Sequence, residues 1–225
     1  MEQLRVGVGG RNEQGSTSED SGQRNVCELR KKQAMSAQEN IQSNARLTLS
    51  QQTMVERWEE HLRDEFELRN VDKTMETMVD DPSNTAVPVL TGGRGRDGVR
   101  EFYTKWFIPQ NPPDTEITLV SRTIGTDQLV DEIIHKFTHT IQMDWMLPGI
   151  APTGKRVEVP LIAIVGFRDG KIAYERIYWD QASVLVQIGL LDPDTLPVVG
   201  IESARKVLDP NLPSNRLITR ASQRK

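Results

Sequence analysis

The chain has 225 residues and a formal charge of −4, a length that allows one domain with appendages or two small domains. All 12 Phe, Trp and Tyr residues lie between Trp58 and Trp179, so neither flank has an aromatic to anchor a second core, and one domain of about 140 residues with two tails is expected. Residues 1–50 carry +1, residues 191–225 carry +2 and the centre carries −7, a balance that argues against a nucleic-acid partner.

Residues 1–50 are rich in Gly, Ser, Gln, Asn and Arg and have too little apolar surface to offset backbone ordering, so they are expected to form a disordered tail, with Met35 as a candidate functional start. From about Gln51 the spacing turns helical, with Met54, Trp58, Leu62 and Phe66 recurring every four residues. Asn70 or Asp72 can cap a second, short helix carrying Met75, Met78 and Val79, which Asp81-Pro82 ends. A strand over Thr85–Leu90 and a glycine-rich loop follow. A helix opening near Asp97 then presents Val99, Phe102, Tyr103, Trp106 and Phe107 as one apolar stripe, stopped by Pro109, Pro112 and Pro113.

Strands are predicted at Glu116–Arg122, Leu129–Trp145, Arg156–Arg168 and Lys171–Asp180, where β-branched and aromatic residues cluster. Asp169-Gly170 is a tight hairpin signal, because both central positions of a type I′ turn need positive φ. Residues 147–154 are expected to stand over one end of the sheet. A short helix over residues 181–190 closes the domain at residues 51–190. Beyond it, residues 191–225 hold too many apolar side chains for a free tail, and part of this extension, with a helical stretch near Glu202–Val207, should be docked. Helices followed by a largely antiparallel meander make an α+β fold.

No apolar run approaches the ~18 residues of a membrane span and the amino terminus has no signal-peptide core, so a soluble, cytoplasmic protein without a membrane partner is expected. Cys27, the sole cysteine, lies in the polar tail, and no Gly-x-Ser-x-Gly elbow exists, so nucleophilic hydrolase chemistry is disfavoured. Gly93-x-Gly95-x-x-Gly98 follows a strand and precedes a helix, as a dinucleotide fingerprint would. It lacks the parallel strand and acidic residue that a Rossmann unit places about 20 residues on.

His135 and His139 would share a metal if helical, but Ile133, Ile134, Thr138 and Thr140 favour a strand, where they are ~13 Å apart. No metal is therefore expected. That strand puts Ile133, His135, Phe137, His139, Ile141 and Met143 on one side. The histidines are either hydrogen-bonded core residues or proton carriers in a ligand cavity. On the last strand Ile172, Tyr174, Arg176, Tyr178 and Asp180 face one way and Ala173, Glu175, Ile177 and Trp179 the other. Tyr178 and Asp180 could act together, or face solvent or a subunit interface.

Pro152-Thr-Gly-Lys-Arg-Val157, Phe167-Arg-Asp-Gly-Lys-Ile172, Tyr178-Trp-Asp-Gln181 and Leu185-x-Gln-x-Gly-Leu190, with Gly98-Val-Arg-Glu-Phe-Tyr103 and Thr138-His-Thr140, resemble SnoaL-like proteins of the nuclear transport factor two superfamily. The resemblance covers about residues 52–190. It implies a cone of helices on a strongly curved antiparallel sheet, a barrel-like α+β shell around one internal pocket, commonly as a homodimer. The superfamily includes cyclases, isomerases, dehydratases, epoxide hydrolases and non-enzymatic binders. Catalytic relatives often carry an acid three positions before the aspartate matching Asp180, where this chain has Ile177. Similar proteins are sometimes labelled carboxymethylenebutenolidase, an activity that the missing nucleophile argues against.

The expected function is cofactor-independent acid–base catalysis (cyclase, isomerase or lyase type) on a small apolar oxygenated metabolite. His139 or His135 would be the acid or base and Asp180 would set its charge or orientation. Tyr178, Trp145, Phe137, Met143 and Tyr174 would wall the substrate pocket. The alternative is a non-catalytic small-molecule-binding or dimerisation module.

Overall fold

The computed structural model describes residues 47–223. Residues 1–46 of the expected disordered tail, with Met35 and Cys27, lie outside the described residues, whereas Leu49 and Ser50 of it are helical. The first helix, α1, spans Leu49–Phe66 and starts in a capping box, with Thr48 and Gln51 reciprocally satisfying backbone N–H groups. Asn70 caps α2 (Val71–Glu76) by accepting from the Lys73 N–H. Strands β1 (Met78–Ala86) and β2 (Thr91–Arg94) precede α3 (Gly95–Phe102), which runs on through a π-helical turn over Tyr103–Phe107 and a 3-10 turn over Ile108–Gln110. Then come β3 (Glu116–Ile124), β4 (Gln128–Thr138), β5 (Arg156–Arg168) and β6 (Lys171–Trp179), followed by α4 (Gln181–Gln187), α5 (Glu202–Leu208) and α6 (Arg216–Gln223).

Six strands form one curved, unclosed sheet in the order β2-β1-β6-β5-β4-β3. Every neighbouring pair is antiparallel except β1 and β6, which run parallel with Asn84 opposite Glu175 and Ala86 opposite Ile177. The fold is therefore α+β as expected, but β2 and β3 remain free edges and the shell is not a closed barrel. The α1 helix packs on β4 and β6, and α3 packs on β1 and β2. Between helices and sheet lies one core that includes Trp58, Met75, Phe102, Tyr103, Phe137, Trp145, Leu161 and Trp179.

Several elements differ from the sequence-based expectation for identifiable reasons. Met78 and Val79 belong to β1 rather than to a helix; both are buried, and a methionine and a valine at helical spacing from Met75 fit a buried strand equally well. Pro82 lies inside β1, in the irregular stretch between paired Met78 and Ser83, where a residue without an N–H breaks no regular ladder. The glycine-rich segment contains β2. Gly93 lies so close to the next helix that an added Cβ would sit 2.3 Å from the carbonyl oxygen of Gly98, so the apparent nucleotide motif is a backbone packing contact. Trp106, expected on the buried stripe, is exposed, because the π turn shifts the helical phase.

The strand predicted to reach Trp145 stops at Thr138, and residues 139–155 form a loop. The Asp169-Gly170 turn has positive φ at both positions (54° and 73°), as a type I′ hairpin requires. Beyond α4, the extension docks α5 on β5, with Ala204 fully buried and the Ser183 hydroxyl donating to the Gly200 carbonyl. No described helix is long and apolar enough to cross a membrane.

Candidate functional site

Facing residues of α1, the π turn, β1 and β6 build a polar knot inside the apolar core. On α1, His61 and Glu65 are one turn apart and both buried, beside Trp58, whose ring stacks on the His61 imidazole at 5.5 Å. The π turn brings Tyr103 inward, and the parallel β1–β6 pairing sets Asn84 beside Glu175. All five polar side chains are buried, Asn84 the least so at 6 % exposure.

The hydrogen bonds fix where the protons lie. The Thr77 hydroxyl donates to the Thr74 carbonyl at 2.6 Å, so at 2.6 Å from His61 Nδ1 its oxygen accepts the Nδ1–H. The Tyr103 hydroxyl donates to Glu175 Oε1 at 2.9 Å and accepts from Asn84 Nδ2, which also reaches Glu175 Oε2 at 3.2 Å. His61 Nε2 hydrogen-bonds the Tyr103 hydroxyl at 3.2 Å and faces Glu65 Oε1 at 3.0 Å and Glu175 Oε1 at 3.2 Å. The Glu65 contact is a close ion pair outside hydrogen-bond alignment, and Glu65 Oε1 has no hydrogen-bond partner among the described residues.

Burial alone would pull the His61 imidazolium down, but the Glu65 and Glu175 carboxylates outweigh it and lift its pKa to about 10. Burial raises Glu65, with the His61 charge only partly offsetting it. Burial, together with the Glu175 and Glu65 charges, pushes the Tyr103 phenol well above its usual range. Near neutral pH the cluster thus holds a proton on His61. The ligand atoms of His61, Glu65 and Glu175 lie within 4.8 Å of one another, close enough to bracket a cation. The proton on Nε2 takes up the same space and charge.

Glu65, Asn84 and Glu175 also line an internal cavity of about 50 Å³, whose walls include Trp58, Leu62, Phe107, Ile133, Leu161 and Ile177. One water needs roughly 10–15 Å³ by such a measure, so the space takes a few waters, well under the ~300 Å³ of ordinary ligand sites. His135 and Trp145 stand in the same wall. Burial, helped by the Arg156 charge, lowers the pKa of His135 to about 4, so its ring is neutral.

Of the candidate catalytic and substrate-binding residues read from sequence, only His135 and Trp145 reach this cavity. Phe137 and Met143 are fully buried in the core, with Phe137 packed on His135 at 5.3 Å. His139 is not brought to the cavity, because β4 ends at Thr138; it is buried under the following loop with Nδ1 3.3 Å from the Thr153 hydroxyl. Asp180 is not brought there either. It is the N-cap of α4 and accepts from the Ala182 N–H at 2.9 Å. Tyr174 covers Gly166 and lies under the Arg176 guanidinium at 4.5 Å, while Tyr178 is 39 % exposed.

Glu175 escaped notice although sequence alternation puts it with apolar Ile177 and Trp179, the signature of a buried acid on an apolar face. The i, i+4 pair of His61 and Glu65 beside Trp58 is the second such signal. Glu175 sits two residues before Ile177 on the same face and lines the cavity with it, so the last strand does supply an acid.

A family model described as "SnoaL-like domain" matches residues 55–175. A solved protein from Jannaschia sp. CCS1, named for SnoaL-like polyketide cyclases, is 19 % identical, with a TM-score of 0.53 over 65 % of this chain and 98 % of its own. TsrD from Streptomyces laurentii is 20 % identical over 61 % of this chain and 96 % of its own, with a TM-score of 0.49. A Catenulispora acidiphila DSM 44928 protein with a ketosteroid isomerase-like fold, solved with trimethylamine, is 15 % identical over 60 % and 94 % of the two chains, with a TM-score of 0.48. No curated protein matches the sequence.

Proposed function

The chain belongs to the SnoaL-like domain family, and on that premise we propose that its cavity is the site of cofactor-independent proton transfer, of cyclase, isomerase or lyase type, on a small, largely apolar, oxygenated molecule. The observation that carries this reading is the convergence of two cavity-wall carboxylates, Glu65 and Glu175, within 3.2 Å of a single nitrogen, His61 Nε2.

The geometry supports a closed proton cycle. The Glu175 carboxylate takes a proton from an acidic C–H or O–H of the substrate, and protonated Glu65 returns one at a second position. His61 then resets the pair by giving its Nε2 proton to Glu65 and taking the one on Glu175. The Tyr103 and Asn84 hydrogen bonds keep Glu175 oriented. Burial brings Glu65 up towards the working pH, which makes it a competent acid. The cycle is redox-neutral.

Hydrogen–deuterium exchange at the α-carbons of small ketones, followed by NMR in D₂O, tests this reading without knowledge of the natural substrate. The wild type should exchange cyclopentanone or cyclohexanone faster than buffer. Glu65→Gln and Glu175→Gln, with folding verified, should each lower the rate by roughly 10²-fold or more. A wild-type rate equal to buffer would leave the second reading, a non-catalytic binding module. The small volume and the mutual hydrogen bonds of Tyr103, Asn84 and Glu175 favour that second reading.

The proposed partner besides the small molecule is a second copy of the chain. The candidate surface is the outer face of the sheet, where half-buried Val130, Ile162 and Ile164 adjoin exposed Tyr178 across β4, β5 and β6.

A further inference from the structure

The acid–base cluster occupies one part of the cavity wall, and His135 and Trp145 stand in another part with polar atoms that the proton cycle leaves unused. Three indoles are buried. Trp58 donates to Asp131 Oδ2 at 2.8 Å and Trp179 to Gln181 Oε1 at 2.6 Å, whereas Trp145 Nε1, equally enclosed, has no acceptor among the described residues. The histidines show the same contrast. Both ring nitrogens of His61 are engaged, but His135 Nε2 is enclosed without a partner.

Packing alone holds the two rings in place. Their centroids are 5.9 Å apart with planes at 75°, and Trp145 also packs edge-on against Phe107 and Trp179. The backbone of Trp145 is fixed by the Thr91 hydroxyl, which donates to its carbonyl at 2.7 Å. The indole N–H is therefore not needed to position the side chain. An indole only donates, so its complement is an acceptor, and a neutral imidazole can offer a second N–H. Unmet buried donors inside a mostly apolar cavity are the arrangement that selects for a ligand oxygen.

We propose that His135 and Trp145 form an oxygen-recognition pole of the cavity, which selects a small neutral molecule carrying a carbonyl or ether oxygen on an otherwise apolar skeleton. The inference rests on the reading of this cavity as the substrate site and names the class of substrate. A charged ligand is disfavoured, because the walls are apolar and no free opposite charge lies at this pole.

Cyclohexanone and methylenecyclohexane have the same shape and differ in oxygen against methylene. Their affinities for the full chain are to be measured by NMR titration, with indole N–H resonances assigned on the wild type from through-space contacts to neighbouring rings. The Trp145 N–H resonance of the wild type should move downfield with the ketone and not with the alkene. The ratio of ketone to alkene affinity should fall about tenfold in Trp145→Phe, which keeps an aromatic ring, and similarly in His135→Leu.

An unchanged ratio in both variants, the same wild-type N–H response to both probes, or no ketone binding would overturn the proposal; a bound water that satisfies the pair would give the first two results. The wild-type resonance decides the matter even if a variant fails to fold. Glu65→Gln and Glu175→Gln should lose α-proton exchange and keep the affinity ratio. Failure of the acid–base reading is thereby distinguished from failure of this one.

Discussion

At the residue scale, two buried histidines with opposite charge states set the pH range of the fold. His61, at about 10, lies above the ~6.5 of a free imidazole. The stability from its bound proton is complete below about pH 6.5 and drains away as the pH rises towards 10. His135, at about 4, has the reverse sign: its contribution is complete above about pH 6.5 and is lost as the pH falls towards 4. Urea midpoints measured from about pH 4 to about pH 10 should therefore peak near neutrality, with roughly 1–3 kcal/mol lost on each side. His61→Gln should flatten the alkaline limb and His135→Leu the acidic limb; an unchanged limb in either variant would remove that histidine as its cause. His61 illustrates what sequence could not offer. Its partners come from positions 65, 77, 103 and 175, and a spacing rule links it only to the first of these.

At the scale of elements, sequence signals read well where they were local. The bounds of β5 at Arg156–Arg168 and the Asp169-Gly170 hairpin follow from β-branched runs and turn chemistry. The phase of β6 did not follow. Ala173 is an extra residue between the paired Ile172 and Tyr174, so Ile172 joins Glu175 and Trp179 on the buried side and strict alternation fails. A bulge of this kind is set by pairing with β5, which is tertiary information. The glycine motif offers a sharp test of local against long-range readings. An added Cβ at Gly93 would meet backbone at 2.3 Å, while at Gly98 the nearest atom is 3.9 Å away. Gly93→Ala should thus destabilise the protein by about 2 kcal/mol or more, whereas Gly98→Ala, within α3, should be neutral or stabilise by up to ~1 kcal/mol. Chemical denaturation of both variants measures the difference; equal effects would contradict the packing explanation.

At the scale of the molecule, the outer sheet face is the proposed dimer surface. Ile162 lies opposite Tyr178 and Ile164 opposite Val130, which together give a patch that a two-fold axis can pair with itself. Light scattering at micromolar concentration should report a dimer, and Ile162→Asp should give a folded monomer; a monomeric wild type would refute the assignment. Sequence alternation left Tyr178 between a pocket wall and a surface or interface residue, and it could not order the strands. The parallel neighbours β1 and β6 pair Asn84 with Glu175, 91 positions further along the chain. That pairing has a consequence for biosynthesis. Until β6 leaves the ribosome, β1 and β2 have no strand to join them to β3, β4 and β5, so the nascent chain carries two unpaired sheet fragments almost to the end of the domain. The carboxylate most central to the proposed chemistry rides on the strand that closes this gap. A chain cut short before residue 171 would therefore lack both a continuous sheet and a site, and would expose strand edges prone to association.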